Sequence, residues 1–365
     1  MTRAASGTPP GQAGLTLVEV MVSLLLVGIA AAFVFSIQVR TSQALRDQST
    51  VAEAQQVLRA ASDLIVSDLR QAGYKAKSIS LNGTSGVAVS GSLAIHNSSS
   101  GPDSVKLQYA DTSFTAHIMD TAARNPGEIE VDDNTGFRDG DTILAVYLKT
   151  LDAAYGTGCL MTATGRTGTT KVTTASSGLF NTASNDQCDA LDAHWNERPY
   201  MLLTRGWVKR YRIKPDDPRG ILQVSLSAGA RTDDWQDIAV GIVDLQIALR
   251  VYQPNDDAND EDADGDTKRD WFSGSDMGTI LGADPDNQAL EMSLTIVAKT
   301  SKNVAAVTVD KTPDIYEGTD KDHNKLGDRE GTTLPVTDTT SMYYGDVVFR
   351  SFTQRIDLRN QGIGF

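Results

Sequence analysis

The sequence is poor in the residues from which catalytic and metal sites are usually built. Its four histidines, His96, His117, His194 and His323, stand far apart and leave little material for a catalytic metal centre. Two cysteines in 365 residues exclude a disulfide-dense scaffold and a cysteine-based zinc ribbon. No Gly-x-Ser-x-Gly, His-Glu-x-x-His or Gly-x-Gly-x-x-Gly run occurs. Gly165-Arg-Thr-Gly168-Thr-Thr-Lys171 has glycines and a lysine, but the lysine follows the second glycine by three residues instead of the one a phosphate loop needs, so it reads as a loop. Basic residues are also short. The 33 Lys and Arg against 47 Asp and Glu leave a formal charge of −14, a surplus that repels phosphates and excludes a nucleic-acid binder. Carboxylates are so abundant that no single pair of them marks an acid–base site. The four tryptophans, Trp195, Trp207, Trp235 and Trp271, read as core or loop anchors instead of a sugar platform. The chain is read as a non-enzyme. It is long enough to bury a sizeable core in one or two domains.

What is present is a long apolar run. Leu15 to Val39 reads LTLVEVMVSLLLVGIAAAFVFSIQV, with Glu19 its single charge and no proline. As a helix it is roughly 37 Å long, enough to cross a hydrocarbon core of about 30 Å. A short polar leader, residues 1–14, precedes it. A secretory signal peptide is the other reading, with Ala30-Ala31-Ala32 as its cleavage site. Glu19 argues against it, since a carboxylate near the bilayer centre costs about 2.5–3.5 kcal/mol and calls for a partner.

The order Gly14-Leu15-Thr16-Leu17-Val18-Glu19 resembles the processing signal of type IV pilins and pseudopilins. The resemblance implies cleavage by a prepilin peptidase between Gly14 and Leu15, methylation of the new amino terminus at Leu15, and a role for Glu19 in subunit assembly. After such a cut Glu19 lies about 6 Å along the helix from a new cationic amine. A neighbouring subunit's amine can pair with it, each charge cancelling the other's burial cost.

Beyond Arg40 the pattern becomes amphipathic. Val51, Ala54, Leu58, Ala61, Ile65 and Leu69 fall on one helical face, with Arg46, Asp47, Glu53, Arg59, Asp63 and Asp68 as a polar surround, and Gly73 is a natural stop. One helix from Leu15 to about Ala72 is predicted. Val243, Leu245, Ile247, Leu249 and Val251 alternate with polar or small residues, as do Met292, Leu294, Ile296 and Ala298, both strand patterns. Further strands are predicted over Val105–Tyr109, Thr142–Leu148, Trp207–Ile213, Ile221–Leu226 and Val347–Phe352. The predicted fold is α+β: a long N-terminal helix, membrane-inserted over 15–39 and amphipathic over 40–73, packed on a mainly antiparallel sheet within an ectodomain of residues 74–365. Long loops are expected at 82–101, 156–187 and 254–288.

Three further strings, Asp68-Leu-Arg-Gln-Ala-Gly-Tyr74, Gly241-Ile-Val-Asp-Leu-Gln246 and Leu358-Arg-Asn360, resemble the PilW-type minor pilins, relatives of the J-type minor pseudopilins of type II secretion. That resemblance implies a minor pilin of the type IV pilus, acting in assembly initiation or a tip complex. It implies partners among other minor pilins, the major pilin and a tip adhesin. It also implies a bacterial inner-membrane location with a periplasmic ectodomain, then the pilus at the cell surface. A type II secretion pseudopilin, or a membrane-anchored calcium-dependent adhesin that does not polymerise, are the alternatives.

Two local features complete the reading. Asp260, Asp262 and Asp264 followed by Gly265, with Asp266 and Asp270 beyond, match the start of an EF-hand-type calcium loop, although its twelfth position is Trp271 instead of glutamate. A calcium site and a solvated acidic loop both fit. The weaker echo Asp320-Lys-Asp322-His-Asn324 lacks the glycine. Cys159 and Cys188 most simply form a disulfide outside the cytoplasm, with free thiols as the alternative.

Overall fold

The computed structural model describes residues 16–73, 87–90, 93–96, 98, 101–119, 127–147, 158–174, 200–217, 219–226, 235–252, 269–273, 281, 288–300 and 349–358. The chain divides into two units, Met1–Thr50 and Val51–Phe365. A single helix, α1 (Leu17–Gln71), contributes to both.

In the first unit the side chains of α1 from Leu17 to Val39 are exposed, Leu17 at 75% and Phe33 at 68%. Among the described residues α1 is the one helix long and apolar enough to cross a membrane. Its hydroxyls are compatible with a dry surrounding. Ser23 donates to the Glu19 carbonyl at 2.7 Å, Ser36 to that of Phe33 at 2.8 Å and Thr41 to that of Ile37 at 2.9 Å. Such back-bonding removes the cost of an unpaired O–H in hydrocarbon.

In the second unit α1 becomes one-sided. Ala54, Leu58, Ala61, Ser62, Ile65, Val66, Asp68 and Leu69 are buried. Leu58, Ile65 and Leu69 each contribute roughly 1.5–3 kcal/mol by leaving water. The helix ends as the sequence predicts: Gly73 adopts φ 77°, a left-handed conformation that suits glycine, and its N–H donates to the Gln108 carbonyl at 2.8 Å.

The strands are β1 (Val87–Ser90), β2 (Leu93–His96), β3 (Ser104–His117), β4 (Glu128–Glu130), β5 (Thr142–Tyr147), β6 (Gly158–Thr167), β7 (Lys171–Thr174), β8 (Met201–Ile213), β9 (Ile221–Ser225), β10 (Trp235–Val240), β11 (Ile242–Tyr252), β12 (Arg269–Ser273), β13 (Gln288–Lys299) and β14 (Phe349–Asp357). They form two antiparallel sheets where the sequence pattern suggested one. The larger runs β1-β2-β3-β8-β5-β6-β7-β4, with β9 and β10 branching from β8; the smaller runs β12-β11-β13-β14. The amphipathic half of α1 shares a core with inward residues of both, including Leu107 and Tyr211 of the larger and Leu245, Leu249, Leu294 and Ile296 of the smaller. A second core, with Ile129, Phe137, Ile143, Cys159, Met161 and Val172, lies among β3–β8 without any residue of the helix.

Every strand predicted from the sequence is found, most of them longer. The turn-rich stretches are less empty than predicted: β6 and β7 occupy part of 156–187, and β12 part of 254–288. Their few apolar residues are set among glycine, threonine and charged residues that read as turns. Gly165 and Lys171 belong to the β6–β7 hairpin, whose turn is residues 168–170.

Two devices join the sheets. Gly220 (φ 68°) passes so close to β11 that an added Cβ would lie 2.7 Å from the Ile242 carbonyl oxygen, and Gly241 (φ 95°) donates its N–H to the Gly220 carbonyl at 2.7 Å. Asp103 completes the edge of β11 where β12 does not reach. Its N–H donates to the Leu245 carbonyl at 2.8 Å, and its carboxylate accepts from the N–H groups of Ile247 and Ser98, each at 2.9 Å.

Candidate functional site

The chemistry predicted from the sequence concentrates at the N-terminal end of α1. Gly14 and Leu15 lie outside the described residues; Thr16 and Glu19 lie within them. Thr16 caps the helix. The Glu19 N–H donates to the Thr16 carbonyl at 3.0 Å and to its Oγ1 at 3.3 Å. Thr16-Leu-Val-Glu19 is therefore spaced as a capping box, a helix-start signal that reading the run for hydropathy alone passes over.

Glu19 is exposed and stands in the first turn, where the helix dipole favours a negative charge. Along α1 the next ionisable side chain is Arg40, about 32 Å away on the axis. Within the described part of the apolar stretch, no cation pairs with this carboxylate. Placed in hydrocarbon, it needs a positive group from outside the described helix.

The other carboxylate on α1 that matters is Asp68, and here the structure corrects the expectation of a polar surround. Asp68 is buried. Lys209 donates to its Oδ1 at 2.8 Å and Oδ2 at 2.9 Å, Tyr109 donates at 3.2 Å, and the Tyr211 hydroxyl donates to Oδ2. Lys209 also lies 5.5 Å from the Tyr109 ring centroid. Burial pushes the Tyr211 and Tyr109 hydroxyls to higher pKa, and hydrogen bonding to the Asp68 carboxylate pushes in the same direction. For Lys209 burial acts to lower the pKa, and the bonds to Asp68 overcome it and raise it. The helical period placed Asp68 beside Leu69 at the margin of the apolar face; an inward carboxylate at such a margin, facing a strand with lysine and tyrosine, is what could have marked it.

The Gly241–Gln246 string is likewise structural. Asp244 and Gln246 are buried, Gln246 donating to the Gly101 carbonyl at 3.2 Å and to Asp244 at 3.1 Å. A register shift falls between Ile242 and Asp244; Ile242 joins Leu245 in the core shared with the helix, while Val243 is fully buried outside that cluster.

Asp260, Asp262, Asp264 and Asp266 lie outside the described residues. The backbone of Asp270 pairs with Val251 in β12. Cys159 is buried on β6 and Cys188 lies outside the described residues, as do Trp195 and the Asp320–Asn324 stretch. Trp207 is 37% exposed on β8, not a core anchor, and Trp235 is half-buried on β10. Among the described residues no group of three or more His, Cys, Asp or Glu gathers as metal ligands do.

Residues 9–35 match the prokaryotic N-terminal methylation motif. The chain carries a prepilin-type signal. The match includes Gly14, Leu15 and Glu19, and it supports a type IV pilin-like or pseudopilin protein that a prepilin peptidase processes. The motif is one of structural subunits, and its apolar helix supports membrane anchoring followed by assembly with other pilin-like chains. No curated protein matches the chain.

Proposed function

We propose that the protein is a minor pilin of the type IV pilus, of the PilW type, acting in assembly initiation or a tip complex. It is made with leader 1–14, cut after Gly14 and methylated at Leu15. The apolar helix holds it in the inner membrane with residues 74–365 in the periplasm. Glu19 then accepts the charged amino terminus of a neighbouring subunit. The observation that carries this reading is the isolation of Glu19: one carboxylate in the first turn of a membrane-length helix, inside a methylation motif, with Arg40 the nearest cation along the helix. Burying it unpaired costs about 2.5–3.5 kcal/mol, which a partner's amine offsets. Partners on this reading are other minor pilins, the major pilin and a tip adhesin.

Calcium at Asp260, Asp262, Asp264, Asp266 and Asp270, and a Cys159–Cys188 disulfide, belong to the same proposal as devices that order loops of the ectodomain. Neither supplies catalysis. A minor pseudopilin of a type II secretion system would use the same N-terminal chemistry.

The test is the mass of the N-terminal peptide of protein from its native cells. N-methylated Leu15 is the expected result. A chain starting at Met1, or after Ala30-Ala31-Ala32, overturns the reading and leaves an anchored or secreted binding module.

A further inference from the structure

Residues 112–205 differ from the rest of the larger sheet both in what they pair with and in what they bury. Strands β3 and β8 pair from Val105↔Tyr211 to His117↔Leu202, broken only where residues 112–114 leave the register between Asp111↔Arg205 and Thr115↔Thr204. The other edge of β8 changes partner at the same place. Met201–Arg205 pairs with β5, whereas Arg210–Ile213 pairs with β9. From β5 the ladder continues through β6 and β7 to β4. Strand β4 then returns to β3. Ile118 bridges Val131, the Met119 N–H donates to the Glu130 carbonyl at 2.8 Å, and the Asp132 N–H donates to the His117 carbonyl at 3.0 Å. The Asp132 carboxylate completes this seam: its Oδ1 accepts the His117 N–H at 2.8 Å, and its Oδ2 lies 3.0 Å from His117 Nδ1. The strand segments therefore close into a ring, which removes the open edge that β4 would otherwise present.

The buried apolar residues divide at the same boundary. Among the described residues the core around α1 takes nothing between Tyr109 and Tyr211, while every member of the second core falls from Ala116 to Leu203. Phe114, in the out-of-register loop of β3, packs against that second core, edge-on to Phe137 at 5.1 Å between ring centroids. The ring is thus filled from its own stretch of sequence. Its neck is the pair Asp111↔Arg205, whose side chains form an ion pair at 2.7 Å. One buried apolar cluster crosses the neck, Leu144, Val146 and Leu160 against Ala94, Ala110 and Val208. Two of its members are alanines, which bury little area, so this tie is weaker than either core.

We propose that residues 112–205 are a module inserted at the end of the β3–β8 ribbon, which folds and opens as its own cooperative unit with Asp132 latching its seam. A contiguous segment with a closed set of strand pairs and a core of its own meets the physical description of a domain. Local opening in proteins follows such units. The ectodomain then holds two folding units, and the inserted one can open while α1 stays docked. The inference goes beyond the pilin reading and uses no residue of its N-terminal motif.

Amide hydrogen exchange of the full chain in an uncharged detergent, read by peptide mass, tests this. Ile143→Ala removes a fully buried side chain from the core of the ring. Exchange at Leu144–Val146 and Met161–Ala163 is expected to rise about thirtyfold or more, while that at Ile247–Leu249 and Leu294–Ile296 stays at native rates. Equal acceleration of both sets overturns the proposal. Asp132→Ala is the milder variant. It is expected to speed exchange about fivefold at Met119 and Leu144–Val146. An unchanged rate there, or acceleration that spreads to Leu294–Ile296, overturns the proposal. The native chain supplies a measurement without any variant: the two sets are expected to show different urea dependences of exchange, because their openings expose different areas. One common dependence would mean a single cooperative unit and overturns the proposal.

Discussion

The two ends of α1 treat a carboxylate in opposite ways. Glu19 is exposed in the first turn and unmatched by any cation on its own stretch of helix; Asp68 is buried in the last turns and receives four donor contacts from one lysine and two tyrosines. The physical need is the same, since a charge removed from water must be paired. At Asp68 the pairing is made inside the fold, and the charge stabilises the docking of helix on sheet. At Glu19 it is unmet within the described helix, and on the proposed reading that need is a reason to associate. On that reading a carboxylate's partner list separates a residue that holds a chain together from one that holds chains to each other.

The contrast breaks first at Glu19. Glu19→Ala is expected to abolish incorporation into the assembled fibre while leaving the urea unfolding midpoint of the ectodomain unchanged. Glu19→Asp is expected to retain part of the incorporation, because the charge survives on a shorter arm. Incorporation of Glu19→Ala at native levels, read by immunoblot of sheared fibres, would remove the assembly role altogether.

Asp68→Ala tests the other side. It leaves the half-buried Lys209 ammonium and two tyrosine hydroxyls without their acceptor, at a cost of about 3 kcal/mol, visible as a lower urea midpoint. The released helix end should also become accessible to limited proteolysis near Arg70. Asp68→Asn/Lys209→Met replaces the ion pair by neutral groups and is expected to recover much of the loss. If Asp68→Ala unfolds at the native midpoint, the cluster contributes nothing to docking and the comparison with Glu19 fails.

Asp103 sharpens the comparison at intermediate strength. Its carboxylate accepts from two backbone N–H groups, those of Ile247 and Ser98. Asp103→Ala leaves the Ile247 N–H buried at the uncovered edge of β11, and is expected to cost about 2 kcal/mol. Amide hydrogen exchange at Ile247 should accelerate while that at Leu294, on the paired strand β13, changes much less.

These roles were unequally legible in the amino-acid sequence. Leu15–Val39, the Glu19 position and the 3–4 spacing from Val51 to Leu69 are local patterns, and helix α1 follows them to within two residues at each end. The strands with apolar alternation, β11 and β13, were equally plain. What local pattern could not give was partnership across the chain. Asp68 meets Lys209 across 141 positions, and Asp103 meets Ile247 across 144; either aspartate alone reads as a surface charge. The division into two sheets depends on the crossing of Gly220 over β11, visible only once the backbones are placed. Strand β6 went unread because Cys159, Met161 and Ala163 alternate within a run of glycine and threonine that resembles a turn.

The smallest expected effect concerns Asp111, a carboxylate between the two extremes. It sits at a bulge of β3, where Thr204 Oγ1 lies 2.5 Å from the Asp111 carbonyl oxygen and 3.0 Å from that of Phe114. Arg205 donates to its carboxylate at 2.7 Å and the Ser113 N–H at 2.9 Å. Partial burial would raise its pKa, but the Ser113 hydrogen bonds and the Arg205 guanidinium outweigh this and hold it below the usual carboxylate range. A carboxyl group depressed in the folded state contributes stability that is complete above its unfolded pKa, near 4, and is lost as pH falls through the lower folded value. In Asp111→Asn the acid limb of the stability–pH curve should be shallower below about pH 4, with a loss at neutral pH of at most about 1 kcal/mol, since the ion pair is near the surface. Thermal unfolding of both proteins across roughly pH 2–7 measures this. Parallel curves would mean that Asp111 positions the bulge through its backbone alone, and that its charge belongs with neither Glu19 nor Asp68.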